Sequence, residues 1–487
     1  MRVSISYPPI PQINGTPMIS QNRQYQIFSE PTYIYPMVPA YAASLLKDAG
    51  YDVIWDDAIA EEKTYSQWLR EVERNHLDVM MIETKTPVVK KHWCMIHDVK
   101  RVSPETRVVL VGDHVTALPR ESMENSEVDY LLEGGDYDFL LLNLVKYLCG
   151  EVKGLEPGIW YRENSKIKTT GRFQLDHDLN ELPFMNRDLT RWQLYAYKNG
   201  DYKVTPGTYT MVGRDCWWRK NGGCSFCSWT TLYPTWRVRK PELLVDEIGM
   251  LIERYGVREI FDDTGTFPVG RWLRKFCNLM IERGYNEEVL FSCNVRFGAL
   301  SLDDYKLMKK AGFRMLLFGL ESGSQRVLDE LNKGVTVGEI VDSCRKAKEA
   351  GLTVHITIMF GYPGASREEE LQTYRLARML MENGYADTLQ STLLMPYPGC
   401  KLYDMALENG WLRFSPGEWE RWDMSEPVLK GGDMSPDEVK QLCDETYKLF
   451  LSPKYVLRRL LSIRSFGDVK FSFRGARKIL GHIRDFR

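Results

Sequence analysis

Cys216-Trp217-Trp218-Arg219-Lys220-Asn221-Gly222-Gly223-Cys224-Ser225-Phe226-Cys227 gathers three cysteines into one loop, seven residues and then two apart. Closely spaced thiolates suit soft ligation of iron or zinc. A structural zinc site normally takes four ligands, and neither a histidine nor a fourth cysteine lies at finger spacing nearby. A [4Fe–4S] cluster held by three thiolates leaves one iron open to a substrate-like chelate. Two other readings stand beside it: zinc with a distant fourth ligand, and thiols that cluster without a metal.

The residues around this loop repeat one pattern. Residues 209–212 read as a strand running into it, and 241–255 as the helix that follows. Strands are then expected at 259–262, 289–293, 315–320, 353–360 and 389–394. Helices are expected at 269–283, 302–311, from about 324, and at 366–383. Strands that alternate with helical patterns imply parallel βα units, here an open or partial β/α barrel. The chemistry of such barrels sits at the carboxyl ends of the strands.

The first 150 residues alternate in the same way. Strands are expected at 3–6, 51–55, 79–83, 107–112 and 130–132, with helices at 39–49, 65–74, 88–99 and 137–148; Asp113-His114-Val115 reads as a loop. This predicts a doubly wound parallel sheet whose ligand lies beyond its carboxyl strand ends. Those ends run into Tyr7-Pro8-Pro9, Glu83-Thr84, Gly112-Asp113-His114 and Glu133-Gly134-Gly135. Residues 158–162 and 166–170 read as a hairpin. The division expected is 1–150 Rossmann-like sheet, 151–205 linker with a small β element, 206–400 partial barrel, and 401–487 helical and basic. The fold class is α/β.

Bulk properties agree. A chain of 487 residues is long enough for two or three domains. A hydrophobic fraction of 44%, a charged fraction of 27% and a net charge of −2 are those of an ordinary globular protein. They make no case for nucleic acid. Seven further cysteines are scattered singly, and most of them read as buried thiols. No secretory leader or bilayer-spanning apolar run is apparent, so a cytoplasmic location is expected. From Lys454 the tail carries ten lysines and arginines against Asp468 and Asp485. It reads either as a solvated cap on the barrel or as a surface meeting anionic lipid.

The cysteine loop resembles that of radical S-adenosylmethionine (SAM) enzymes, and Phe226 matches the aromatic residue before their last ligand. The usual spacing there is three and then two, so the first gap is enlarged here. The resemblance implies that Cys216, Cys224 and Cys227 hold a [4Fe–4S] cluster whose open iron binds SAM, cleaved to a 5′-deoxyadenosyl radical. It places Asp262 and Asp263 near the SAM amine, and Asn294 and Arg296 near its carboxylate or the substrate. Glu321, followed by Ser322, falls near the ribose, and Gly361 near adenine. The inserted Trp217, Trp218, Arg219 and Lys220 either shape a pocket or donor contact, or pack over the cluster.

The first half resembles the cobalamin-binding domain of one radical SAM subclass. Tyr7, Pro8, Pro9, Glu83, Thr84, Gly112, Asp113, His114, Glu133, Gly134 and Gly135 carry that likeness. Asp113-His114 lacks the Asp-x-His-x-x-Gly pattern that ligates cobalt, so the resemblance implies base-off cobalamin without a histidine ligand. A doubly wound domain without cofactor is the alternative.

By resemblance the activity is methylation of an unactivated carbon or a phosphinate phosphorus, using methylcobalamin and a reductant such as flavodoxin or ferredoxin. Cyclisation or rearrangement on the same cofactors, and a non-catalytic carrier or sensor, are the other readings. Arg214, Arg219, Lys220, Arg237 and Arg239 favour a phosphinate, because guanidinium groups bind oxyanions bidentately.

Overall fold

The computed structural model describes residues 1–11, 15–19, 25–28, 32–199, 202–464, 467–469 and 471–475. The first sheet begins with β1 (Arg2–Tyr7). A small antiparallel hairpin, β2 (Thr16–Met18) and β3 (Gln26–Phe28), lies apart from it. The sheet continues with β4 (Asp52–Asp57), β5 (Val79–Glu83), β6 (Arg107–Val111) and β7 (Tyr130–Leu132). These five strands are parallel in the order β4-β1-β5-β6-β7. That order is the flavodoxin-like winding, whose switch point lies between β1 and β5. The expected hairpin forms as β8 (Ile159–Glu163) and β9 (Lys166–Thr169), and it extends this sheet antiparallel from β7. β5 is buried along its whole length, as both-face burial in a parallel sheet demands.

The second sheet comprises β10 (Gly207–Thr210), β13 (Glu259–Asp262), β14 (Leu290–Val295), β15 (Phe313–Glu321), β16 (Thr353–Phe360) and β17 (Thr388–Leu393). All pair parallel, in chain order, as an open six-stranded partial barrel. Between its first two strands, β11 (Gly213–Arg214) and β12 (Arg237–Val238) pair antiparallel and frame the cysteine loop. The helices that return each strand are strongly specified. Pro241–Tyr255 starts on proline and ends at Gly256, at φ +62°. Leu302–Lys310, Val337–Glu349 and Arg367–Glu382 each open with a capping box.

One expected loop is helical. Asp113-His114-Val115 opens the helix Asp113–Ala117, because Gly112, at φ +122°, turns the chain sharply off β6. Only glycine fits there, since a Cβ would stand 2.3 Å from the Thr84 carbonyl oxygen. Of the seven scattered cysteines, Cys94 and Cys149 are exposed and the other five are buried.

The tail crosses the amino ends of the barrel strands. The Tyr455 hydroxyl donates to the Asp387 carbonyl just before β17, at 2.9 Å. Arg474 donates to the carbonyls of Tyr202 and Lys203 just before β10. Phe466, Lys470, Arg477, Lys478, Arg484, Asp485 and Arg487 lie outside the described residues. Among the described residues no helix is long and apolar enough to cross a membrane.

Candidate functional site

The carboxyl ends of the two sheets face each other. Arg214, on β11, donates to the Gly135 carbonyl at 2.5 Å and pairs with Asp138 at 2.5 Å and Asp136 at 3.3 Å. Arg237, on β12, adds a two-pronged pair to Asp136. Burial opposes ionisation of Asp136, but hydrogen bonds from His177 and Arg237 and the neighbouring guanidinium charges take it down to about 2. The Gly135 amide donates to the Leu232 carbonyl at 2.9 Å. A Cβ on Gly135 would stand 1.7 Å from the Tyr233 ring, so that glycine is what lets the two loops meet.

The cysteine loop leaves β11 through Asp215, held at φ +76°, a strained conformation for a non-glycine residue. The seven-residue gap then folds as a 3-10 turn, Trp217–Asn221, closed by Gly222 and Gly223 at φ +88° and +69°. Arg219 reaches back to the buried Asp215 with both prongs of its guanidinium. Trp218 Nε1 donates to the Asn332 carbonyl at 2.8 Å, and its ring lies flush on Gly334. Asn332 returns donors to the Asn221 and Gly223 carbonyls. The insert is thus a strut tying the loop to the segment after the helix Gln325–Glu330.

Cys216, Cys224 and Cys227 line one cavity of about 660 Å³ together with Thr266, Arg296 and Glu321. Cys216 Sγ lies 2.8 Å from the Thr266 hydroxyl, and Arg296 Nη1 lies 3.7 Å from Cys224 Sγ. The Arg296 guanidinium also sits 4.4 Å above the Trp218 ring. Among the described residues no three His, Cys, Asp or Glu side chains converge on a single metal ion. Three thiolates spread around a cavity, with a guanidinium and a hydroxyl directed at them, fit an anionic polynuclear cluster.

Other predicted residues divide clearly. Phe226 and Asn294 line the same cavity, and Asn294 Nδ2 reaches the Asp263 carboxylate at 3.3 Å. Glu321, at φ +64°, is buried and paired with Lys333 at 2.8 Å. It also borders a second, more apolar cleft of about 280 Å³ lined by Ser322, Phe360, Tyr362 and Glu370. Gly361 donates to Glu370 at 3.0 Å beside that cleft. Burial raises Glu370 to about 7. Glu321 borders both clefts.

Asp262 stands apart. It is wholly buried and accepts from Thr210 Oγ1 and from the amides of Val212 and Thr264. Burial lifts it to about 6. It braces β10 against β13 and does not border the cavity.

On the first sheet, Tyr7 and Tyr137 both donate to the buried Glu83 at the switch point. Burial raises Glu83 against the pull of Lys85 and those hydroxyls. Lys85 pairs with Asp113 at 3.1 Å, both buried. Thr84 accepts from or donates to His92 at 2.7 Å. Pro8 and Pro9 continue the chain beyond β1. Glu133 accepts from Trp160 Nε1, and Gly134 donates to Thr116. His114 is fully buried with both ring nitrogens engaged, by Thr86 at 3.2 Å and Glu121 at 3.1 Å. It has no lone pair left for a metal.

Between the two sheets, Tyr233 Oη and Thr231 Oγ1 are buried without a hydrogen-bond partner. Thr231 abuts Gly399, beyond β17, and Ala117 abuts it from the first sheet. Orphaned polar atoms at the meeting of a switch point and the thiol cavity fit a large polar cofactor there.

Sequence reasoning did not find Thr266 or Asn332, whose partners Cys216 and Asn221 lie 50 and 111 residues away, nor Lys333, Thr231 and Tyr233, whose place depends on the fold. Of the cations named for an oxyanion, Arg214, Arg219, Arg237 and Arg239 pair with Asp138, Asp215, Asp136 and Glu247 respectively. Arg219 also lines the thiol cavity, and Lys220 lies 5.6 Å from the centre of the Trp217 ring.

Residues 212–377 match the radical SAM superfamily. Over 450 residues the chain is 26% identical to an uncharacterized methyltransferase of Pyrococcus horikoshii, covering 91% of this chain and 94% of that one. It is 24% identical to the anaerobic magnesium-protoporphyrin IX monomethyl ester cyclase of Cereibacter sphaeroides, over 86% of this chain and 67% of that one. In fold it is similar to a radical SAM methyltransferase, TsrM, from Kitasatospora setae, solved with cobalamin and a [4Fe–4S] cluster bound. The TM-score is 0.68 at 15% identity, covering 100% of this chain and 99% of that one. Residues 212–377 thus carry a radical SAM domain, and across both of its sheets the chain resembles in fold a radical SAM methyltransferase solved with cobalamin bound.

Proposed function

We propose that this protein is a cobalamin-dependent radical SAM methyltransferase acting on an unactivated carbon of a small molecule. The observation that carries the reading is the convergence of three features on one interface: the thiol cavity, the Glu321 cleft and the flavodoxin-like switch point. When bound, a cluster with SAM supplies a carbon-centred radical and cobalamin supplies a transferable methyl group.

The chain's own residues supply position. Cys216, Cys224 and Cys227 hold the cluster, with Arg296 offsetting its negative charge. Glu321 and Ser322 receive the SAM ribose, and the turn at Gly361 receives adenine. Residues 1–150 hold cobalamin against the thiol cavity, and 206–400 hold the cluster and SAM. The engagement of His114 by Thr86 and Glu121 supports base-off cobalamin without a histidine ligand. Pairing of four of the five cations near the cysteine loop with carboxylates weakens the support for a phosphinate. An external one-electron donor such as a flavodoxin or ferredoxin completes the system.

Cyclisation on the same cofactors is the second reading, favoured by the likeness to the cyclase of Cereibacter sphaeroides. Reconstituted enzyme given methyl-labelled SAM separates the two. The methyltransferase puts label into a product. Accumulating 5′-deoxyadenosine with no labelled product would refute methyl transfer.

A further inference from the structure

We propose that the helix Pro453–Leu461 docks this protein on an anionic lipid surface. The helix has two unlike faces. Tyr455 is buried against Phe450, and Arg458 donates to the Ala386 carbonyl at 2.9 Å, so this side is seated on the barrel. Successive residues of a helix turn by about 100°. Val456, Leu457, Leu460 and Leu461 therefore share the side opposite Tyr455. They are 40%, 59%, 60% and 70% exposed. Leu451, at the start of the helix, and Phe473, further along the tail, are 58% and 74% exposed. A lone exposed leucine needs no explanation, whereas a contiguous apolar stripe on a short helix does.

Its charge identifies the occupant. Lys454 and Arg459 flank the stripe on either side, and Arg464 follows the helix. Lys454 lies 3.7 Å from Glu382 yet remains 74% exposed. Of the described residues from 452 to 475, only Asp468 is acidic, and it is paired with Lys203. An apolar stripe with cations at its edges suits the acyl–headgroup boundary of an anionic bilayer, where long basic side chains reach the headgroups. A protein partner would leave those edge cations in need of an acidic rim. The helix sits at the amino ends of the strands, opposite the thiol cavity, so docking orients the whole enzyme and leaves the cofactor interface unobstructed.

Sedimentation of the full chain with vesicles tests this. The protein is expected to pellet with vesicles of phosphatidylcholine and phosphatidylglycerol and not with phosphatidylcholine alone. L460D/L461D, which replaces exposed side chains only, should weaken partitioning by about tenfold or more. K454E/R459E should weaken it by at least about tenfold, and salt should mimic that effect. Equal binding to both vesicle types, no binding to either, or unchanged binding by both variants would overturn the proposal. So would light scattering that shows a dimer which L460D/L461D dissociates, since the face would then belong to a second copy.

Discussion

Arg219→Met tests the account of the inserted turn. Asp215 is fully buried, and the Arg219 guanidinium meets both of its carboxylate oxygens while donating also to the Tyr233 carbonyl. Methionine preserves most of the side chain's bulk and removes the charge. Stripping one partner from a buried ion pair costs about 3–5 kcal/mol, because the remaining charge is left desolvated. Taking the lower figure, and about 1.4 kcal/mol per factor of ten, the local opening equilibrium of the loop should rise about a hundredfold. Hydrogen exchange of the apo-protein reads this directly at the amides of Gly222, Cys227 and Tyr233, which donate to Arg219, Cys224 and Trp229. Exchange there should accelerate about a hundredfold, while β5 and β16 stay unchanged. Iron retained after anaerobic reconstitution should fall in parallel. Adding Asp215→Asn to the variant should recover part of the protection, because the carboxylate that lost its guanidinium is then neutral. Exchange within a factor of two of wild type in Arg219→Met would refute the strut.

Other predictions follow from single contacts. Glu370 is raised from 4.5 to about 7 by burial, so its contribution to stability is complete below 4.5 and is lost as pH rises toward 7. Glu370→Gln keeps an acceptor for the Gly361 and Tyr362 amides and does not titrate; denaturant melts at pH 5 and pH 8 should show it gaining on wild type at the higher pH. Gly135→Ala forces a Cβ into the Tyr233 ring, and should lower bound corrinoid several-fold in reconstituted protein while melts of residual structure stay cooperative. His114→Ala should leave the absorption and paramagnetic-resonance spectra of bound cobalamin in the base-off form, since that imidazole is committed to Thr86 and Glu121.

What the sequence disclosed follows local signals. β5, β16 and the helix Pro241–Tyr255 fall where periodicity, proline and glycine put them, because each is bounded by its own residues. The cysteine loop and the doubly wound parallel sheet were legible for the same reason, whereas the strand order β4-β1-β5-β6-β7 is set by contacts between strands and was not. Asp113-His114-Val115 was misread because Gly112 alone turns β6 into a helix, and a single glycine does not announce which turn it makes. Asp262 looked like a ligand because it ends a barrel strand; its three hydrogen bonds to the first strand and the following turn are invisible without the fold. The arginines around the cysteine loop invited an oxyanion. The partners of Arg214 and Arg237, Asp138 and Asp136, lie 76 and 101 residues away, beyond any spacing rule, whereas Arg219 pairs with Asp215 at i,i+4 spacing. The inserted Trp217–Asn221 turn was unreadable alone, since its meaning lies in Asn332 and Gly334.

The central claim is that one interface holds both a cluster and cobalamin, each by its own sheet. Its most direct measurement is iron and corrinoid per chain after anaerobic reconstitution of the wild type and of a variant with Cys216, Cys224 and Cys227 all replaced by alanine. The account predicts about four iron atoms and about one corrinoid in the wild type, and corrinoid without iron in the variant. A wild type that takes up no corrinoid, or a variant that still holds its iron, would contradict it.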